Sequence, residues 1–227
     1  MNIRYATLSK TGKRANNEDA FSVIKADDNS RWFGIVCDGL GGHDFGEVAS
    51  ETVIKAITDY WMENDKEKDT EEKVNNACHF AYNELNRRAD SLKHADMGTT
   101  MVMASIEGNV VTIAHIGDSR CYILRKDGGL LYQTEDHVNR ILGWETLSRC
   151  FFSYNSRNLV PDIIQLHLEA GDRILLCSDG VYKSIVSYIL QERMMDNKSP
   201  KDILGTFDLL CEKNGDDNYT AILACIE

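Results

Sequence analysis

Apolar residues alternate with polar ones, or run on as unbroken β-branched stretches, over Tyr5–Leu8, Ala20–Ile24, Trp32–Cys37, Thr100–Ile106 and Val110–Ile116. The same pattern returns over Arg120–Leu124, Leu130–Gln133, Ile163–Leu168, Arg173–Cys177 and Tyr219–Ile226, and each stretch predicts a strand. Three stretches have helical spacing instead. Glu47–Glu63 places Val53, Ile57, Tyr60 and Trp61 on one stripe. A second helix opens on Asp69 as N-cap, with Glu72 three residues on, and stripes Val74, Ala77, Cys78, Ala81 and Leu85. A third opens on Ser199 and Pro200, stripes Ile203, Phe207, Leu210 and Cys211, and stops at Asn214-Gly215. Two helices come early and one late, without the alternation of a βαβ sheet. The pattern predicts an α+β fold in four layers, α-β-β-α, with antiparallel sheets stacked face to face and helices outside.

Acids stand at the mouths of five of these strands. Trp32–Cys37 runs into Asp38-Gly39, Arg173–Cys177 runs through Ser178 into Asp179-Gly180, and Val110–Ile116 runs into Gly117-Asp118. In reverse order, Glu18-Asp19 precedes Ala20 and Asp217-Asn218 precedes Tyr219. Carboxylates gathered on one rim repel one another unless protons or cations neutralise them. Oxygen donors suit Mg²⁺ or Mn²⁺, so the pattern points to a carboxylate metal site for more than one ion.

Composition narrows the classes. The 227 residues are 43% hydrophobic with two prolines and no linker-like segment, which predicts one domain over residues 1–227. A formal charge of −11 argues against nucleic acid or an anionic membrane as partner. The Lys10–Arg14 run is too short to reverse that. Seven cysteines, an odd number with no Cys-x-x-Cys pair, read as buried thiols of a reducing compartment rather than disulfides or a zinc site. The first residues lack the apolar core of a signal peptide, and a cytoplasmic location is expected.

The string Asp38-Gly39-Leu40-Gly41-Gly42-His43 is the sharpest. By itself it reads equally as a glycine-rich turn into a helix. An aspartyl nucleophile of the haloacid dehalogenase type would want a second acid where Leu40 stands, and an EF-hand loop lacks its Asp/Asn alternation. Five more strings join it in order: Arg14-Ala15-Asn16-Asn17-Glu18-Asp19, Met97-Gly98-Thr99-Thr100, Gly117-Asp118-Ser119-Arg120, Ser178-Asp179-Gly180 and Asp217-Asn218-Tyr219-Thr220. Together they resemble the metal-dependent protein phosphatases (the type 2C Ser/Thr phosphatases), especially the compact bacterial members, over nearly the whole chain.

The resemblance implies a central β-sandwich flanked by helix pairs, with two Mn²⁺ or Mg²⁺ ions at one end and at most a weakly held third. Asp38 would bridge the pair. Asp179 and Asp217 would complete one ion's ligands, Glu18 and the Gly39 carbonyl would serve the other, and Asp19 would support them. Asp118 would serve the third. Arg14 would clamp the phosphate, and a metal-bridged hydroxide would attack it. The family implies a phosphorylated protein as substrate, a monomer, and serine/threonine phosphatase activity. None of the seven cysteines sits in a Cys-x5-Arg loop, so no thiol nucleophile competes with that mechanism.

His43 reads as a loop tie. His137, in Thr134-Glu135-Asp136-His137, reads either as a residue near the site or as a buried hydrogen-bonded histidine, and His115 as structural. Thr99 and Thr100 are expected to pack or cap near the metal rim. Two features depart from the family. The segment at about 138–162 is short, an abbreviated flap, and Lys183 stands four residues after Asp179, where many relatives carry an acid or amide. Lys183 either faces the site as a built-in cation or points to solvent. The rival functions are a catalytically silent binding domain on the same fold and a hydrolase of small phosphoesters.

Overall fold

The computed structural model describes residues 2–26, 31–40, 45–64, 70–141 and 143–227. Along the chain come β1 (Ile3–Lys10), β2 (Asp19–Lys25), β3 (Arg31–Asp38), α1 (Gly46–Glu63), α2 (Thr70–Ser91), β4 (Gly98–Thr99), β5 (Met101–Glu107) and β6 (Val110–Ile116). There follow β7 (Arg120–Leu124), β8 (Leu130–Gln133), β9 (Val138–Ile141), β10 (Trp144–Leu147), β11 (Phe151–Phe152) and a 3-10 turn (Ser156–Asn158). The chain closes with β12 (Asp162–His167), β13 (Arg173–Cys177), α3 (Asp179–Ser184), α4 (Ser187–Met194), α5 (Pro200–Asn214) and β14 (Tyr219–Ile226).

Two five-stranded sheets form, ordered β1-β14-β13-β7-β8 and β12-β6-β5-β3-β2, and every pairing within them is antiparallel. Between them lies an apolar layer that includes Val36, Val102, Ile113, Ile123, Ile174 and Ile222, all fully buried. Each such side chain contributes about 1.5–3 kcal/mol by leaving water. A second layer packs α1 and α2 against the β3 sheet, with Val53, Ile57, Ala77 and Leu85 meeting Phe33, Ile35 and Met103. A third packs α3, α4 and α5 on the other sheet, with Val181, Leu190 and Phe207 meeting Leu175 and Leu223. The four-layer α-β-β-α architecture is therefore present. Interior strand β14 is buried along its whole length, which is why its sequence is continuously apolar rather than alternating.

Local signals hold at the helix ends. Ser199 accepts from the Asp202 N–H at 3.2 Å, Pro200 starts α5 and Gly215 follows its last turn. The Asp69 cap expected for α2 and the Gly41-Gly42-His43 turn lie outside the described residues. Three features differ from the sequence pattern or add to it. Two short helices, α3 and α4, follow β13 directly, so the sandwich carries more than the three helices read from spacing. Segment 138–162 holds a β9–β10 hairpin and the strand β11, which pairs with β4. The edge strand β12 covers Asp162–His167 rather than Ile163–Leu168. The seven cysteines are free, and all but the half-buried Cys150 are buried. Among the described residues no helix is long and apolar enough to cross a membrane.

Candidate metal centre

Antiparallel pairing delivers the strand-mouth acids to one end of the sandwich. β3 ends at Asp38, the β6–β7 turn carries Asp118, and β13 passes through Ser178 to Asp179. Glu18 and Asp217 stand just before β2 and near the start of β14. Arg14, Glu18, Asp38, Gly39, Asp118, Asp179 and Asp217 all line one cleft of about 500 Å³, together with Thr100, Leu147 and Asn218. All the site residues read from sequence are thus brought together.

Small residues and amide bonds make this convergence possible. Gly39 donates its N–H to the Glu18 carbonyl at 3.0 Å. A Cβ there would lie 2.4 Å from the Gly46 carbonyl and 2.7 Å from that of Glu18. Gly180 is tighter still, since a Cβ would stand 1.9 Å from the Asn218 carbonyl oxygen. Thr99 Oγ1 donates to the Asp38 carbonyl at 2.8 Å, and Thr100 Oγ1 accepts from the Asp38 N–H at 3.0 Å. Both threonines therefore fix the Asp38 peptide, as expected of residues on the rim. Asp19 is buried and receives Ser178 Oγ at 2.6 Å, joining the two sheets behind the cleft.

Asn218 and Ser178 carry more than their place in the strings revealed. Asn218 Oδ1 accepts from the Glu18 N–H at 2.9 Å, and its Nδ2 donates to the Thr11 and Asn16 carbonyls at 2.8 Å each. One amide thereby pins the whole Arg14–Glu18 loop to the start of β14. Ser178 Oγ also accepts from the Thr220 N–H at 2.9 Å. An amide or hydroxyl beside a key acid was the available signal. What each would bond to depended on pairings some 40 to 200 residues apart in sequence.

The charges are only partly compensated. Burial raises Asp38 well above the usual carboxylate range, and Asp19, Asp179, Asp118 and Asp217 add to it. Burial likewise lifts Asp19 to about 7 and Asp118 to about 6, with Asp179 contributing to both. Glu18 is raised by burial and then by Glu47. Among the described residues two side-chain cations form ion pairs with this group. Arg14 Nη2 meets Asp217 Oδ2 at 2.9 Å, and Lys183 Nζ meets Asp179 Oδ2 one helical turn along α3. Lys183 falls between its two readings: its side chain is half exposed and does not line the cleft, yet its ammonium reaches Asp179. Asp38 receives neither, and one buried oxygen of Asp19 has no hydrogen-bond partner. An all-oxygen, under-neutralised group lining one cleft fits hard divalent cations.

His137 is buried and hydrogen-bonded, the second of its two readings. His115, which showed no ligand spacing in sequence, lies beside it and Asp162. His43 lies outside the described residues.

A model of the family described as Protein phosphatase 2C matches residues 9–223. Serine/threonine protein phosphatase PstP of Mycobacterium tuberculosis is 31% identical over 237 residues, covering 98% of this chain and 45% of PstP. The chain thus spans less than half the length of that relative. Serine/threonine phosphatase stp of Listeria monocytogenes is 29% identical over 233 residues, covering 92% of this chain and 90% of stp. The solved catalytic domain of PstP in complex with two manganese ions superposes with a TM-score of 0.81 at 30% identity, over 99% of both chains. The family match encloses every acid of the cleft and all the strands that carry them except most of β1 and the end of β14, and the chain belongs to the protein phosphatase 2C family.

Proposed function

We propose that the chain is a metal-dependent serine/threonine protein phosphatase, acting as a monomeric single domain in the cytoplasm on phosphorylated proteins. One observation carries the reading: an under-neutralised cluster of five carboxylates in one cleft, with a guanidinium on its rim. Asp38 would serve both of two Mn²⁺ or Mg²⁺ ions, Asp179 and Asp217 would help to hold one, and Glu18 with the Gly39 carbonyl the other. Such a pair supplies Lewis acidity and lowers the pKa of water enough to use it as a nucleophile at neutral pH. The protein's own part is positioning. Asn218 fixes the loop that presents Arg14, and Arg14 exchanges Asp217 for the phosphate, whose equatorial oxygens suit a bidentate guanidinium. Leu147, at the end of β10, forms the wall of the cleft nearest segment 138–162, the abbreviated flap.

The test is turnover of phosphoserine and phosphothreonine peptides after exhaustive chelation. Activity is expected to vanish and to return on adding Mn²⁺ or Mg²⁺. Undiminished turnover in excess chelator would refute the metal mechanism. Rapid hydrolysis of small phosphoesters with no turnover of phosphopeptides would transfer the reading to a small-molecule phosphatase.

A further inference from the structure

Gly117 precedes Asp118, and one histidine holds both polar atoms of its backbone. The His137 N–H donates to the Gly117 carbonyl at 3.0 Å, and the Gly117 N–H donates to His137 Nδ1 at 3.1 Å. A backbone N–H can only donate, so Nδ1 is the bare nitrogen and the ring proton sits on Nε2. There it faces Asp162 Oδ2 at 3.0 Å. Arg149 grips the same carboxylate through both terminal nitrogens, at 2.7 and 3.0 Å, and also donates to the Val160 carbonyl at 3.1 Å. The Ser148 N–H donates to the His137 carbonyl at 2.8 Å. Immediately before Ser148, Leu147 lines the cleft. The base of the β9–β10 hairpin and the turn that carries Asp118 therefore meet at one imidazole.

A metal trio of His115, His137 and Asp162 is the competing reading, since their donor atoms lie close together. The ring geometry argues against it. The two imidazoles stack with centroids 4.4 Å apart and planes 16° from parallel, so their in-plane lone pairs cannot converge on one ion. His137 Nε2 already carries the proton, and Arg149 occupies Asp162. Burial lowers both histidines, which favours the neutral ring that the Gly117 bond requires.

We propose that His137 is a positioning residue that joins the flap to Asp118. Arg149 and Asp162 orient the ring, and the ring sets the Gly117 peptide from which the Asp118 carboxylate enters the cleft. The inference rests on the metal-dependent reading, because Asp118 bears on the reaction as a cation ligand.

Two substitutions separate the halves of the ring. His137→Asn keeps an acceptor near Nδ1 and loses the reach to Asp162. His137→Gln keeps an amide near Nε2 and loses the acceptor for Gly117. Each is combined with Arg149→Met, and the metal-free chain is titrated calorimetrically with Mn²⁺. Partners that orient metal ligands are worth about 10–100-fold in metal affinity. His137→Gln is expected to weaken the weakest Mn²⁺ step by about tenfold, with His137→Asn weakening it no more than Arg149→Met does. Arg149→Met should weaken that step in the unsubstituted chain and add nothing in the His137→Asn background.

Equal effects of the two His137 substitutions, or an Arg149→Met effect undiminished beside His137→Asn, would overturn the linkage. A ¹H–¹⁵N correlation on the unsubstituted protein guards against variants that fold poorly. It should show the His137 proton on Nε2, and a proton on Nδ1 would overturn the inference without any mutant. If Mn²⁺ neither binds the unsubstituted chain nor supports turnover, the phosphatase reading fails and takes the linkage with it. If Mn²⁺ does both and the two variants behave alike, only the linkage fails.

Discussion

Arg14 shows how weakly a key side chain can be held when its partner must change. Its guanidinium pairs with Asp217 at 2.9 Å, and both side chains are about half exposed, at 55% and 41%. Exposed ion pairs of this kind contribute about 0–1 kcal/mol, because water and salt screen them and ordering the side chains costs entropy. A dianionic phosphate offers two oxygens in the geometry that guanidinium matches, so the exchange runs toward substrate. It also releases Asp217 to a cation. The expected result of Arg14→Ala is therefore loss of binding more than of chemistry, since a clamp acts on ground and transition states alike. KM for a phosphopeptide should rise about tenfold with kcat nearly unchanged, the equivalent of about 1.4 kcal/mol. Steady-state kinetics at saturating Mn²⁺ check it. A large fall in kcat at constant KM would place the arginine's contribution in the transition state alone.

At the scale of elements, α3 concentrates what sequence made legible and what it did not. Asp179 and Lys183 were visible as candidate residues, and Ser178-Asp179-Gly180 as a strand mouth, yet the six-residue helix joining them was not. A helix of under two turns has too few positions to display a 3.6-residue period, and tertiary packing of Val181 and Ile185 stabilises it. The long elements were legible because one buried face repeats many times, as in α2 and β3. The β9–β10 hairpin was not, since its described side chains are mostly exposed and repeat no buried face.

Register explains the rest. The acids could be named from sequence, but the pairings that bring them together, such as Asp19 opposite Asp38, arise only once strands align. The helix also decides the lysine. With Asp179 at its first position, Lys183 falls one turn on, on the same face, and its ammonium reaches the acid. Burial opposes that charge, but Asp179, Asp118 and Asp38 outweigh it and raise the pKa of Lys183. Lys183→Asp exchanges a tethered cation for a carboxylate beside Asp118. Calorimetry of the metal-free protein should then register the additional Mn²⁺ as a tight step, where the unsubstituted chain holds it weakly. A well-occupied third ion in the unsubstituted chain at modest Mn²⁺ would defeat this account of the lysine.

For the whole molecule, the cleft makes stability a function of metal and pH together. Asp38, Asp19 and Asp118 are all raised by burial above the ordinary carboxylate value, Asp19 to about 7 and Asp118 to about 6. Between about pH 4 and pH 7 the folded, metal-free chain therefore holds protons that the unfolded chain has released. When the native state binds more protons, stability falls as pH rises. The contribution is full below the unfolded carboxylate range and is lost as pH climbs through 6 and 7. Divalent cations act in the opposite direction, because they need the carboxylates ionised and compete with the protons. In chelator the melting temperature should drop between pH 5.5 and pH 7.5, the acids outweighing His115 and His137, whose lowered pKa values work the other way, and saturating Mn²⁺ should restore it most at the upper end. Asp38→Asn removes a charge that burial and four neighbouring acids all disfavour. It should raise the melting temperature of the metal-free chain at pH 7.5 by roughly 4–8 °C, the equivalent of about 2 kcal/mol for a protein of this size, while abolishing turnover. Calorimetric scans of both chains across the pH series decide the matter. A metal-free chain that grows more stable from pH 5.5 to 7.5, or an Asp38→Asn chain less stable than its parent in chelator, would mean that the acids of the cleft are neutralised by something other than protons and metal.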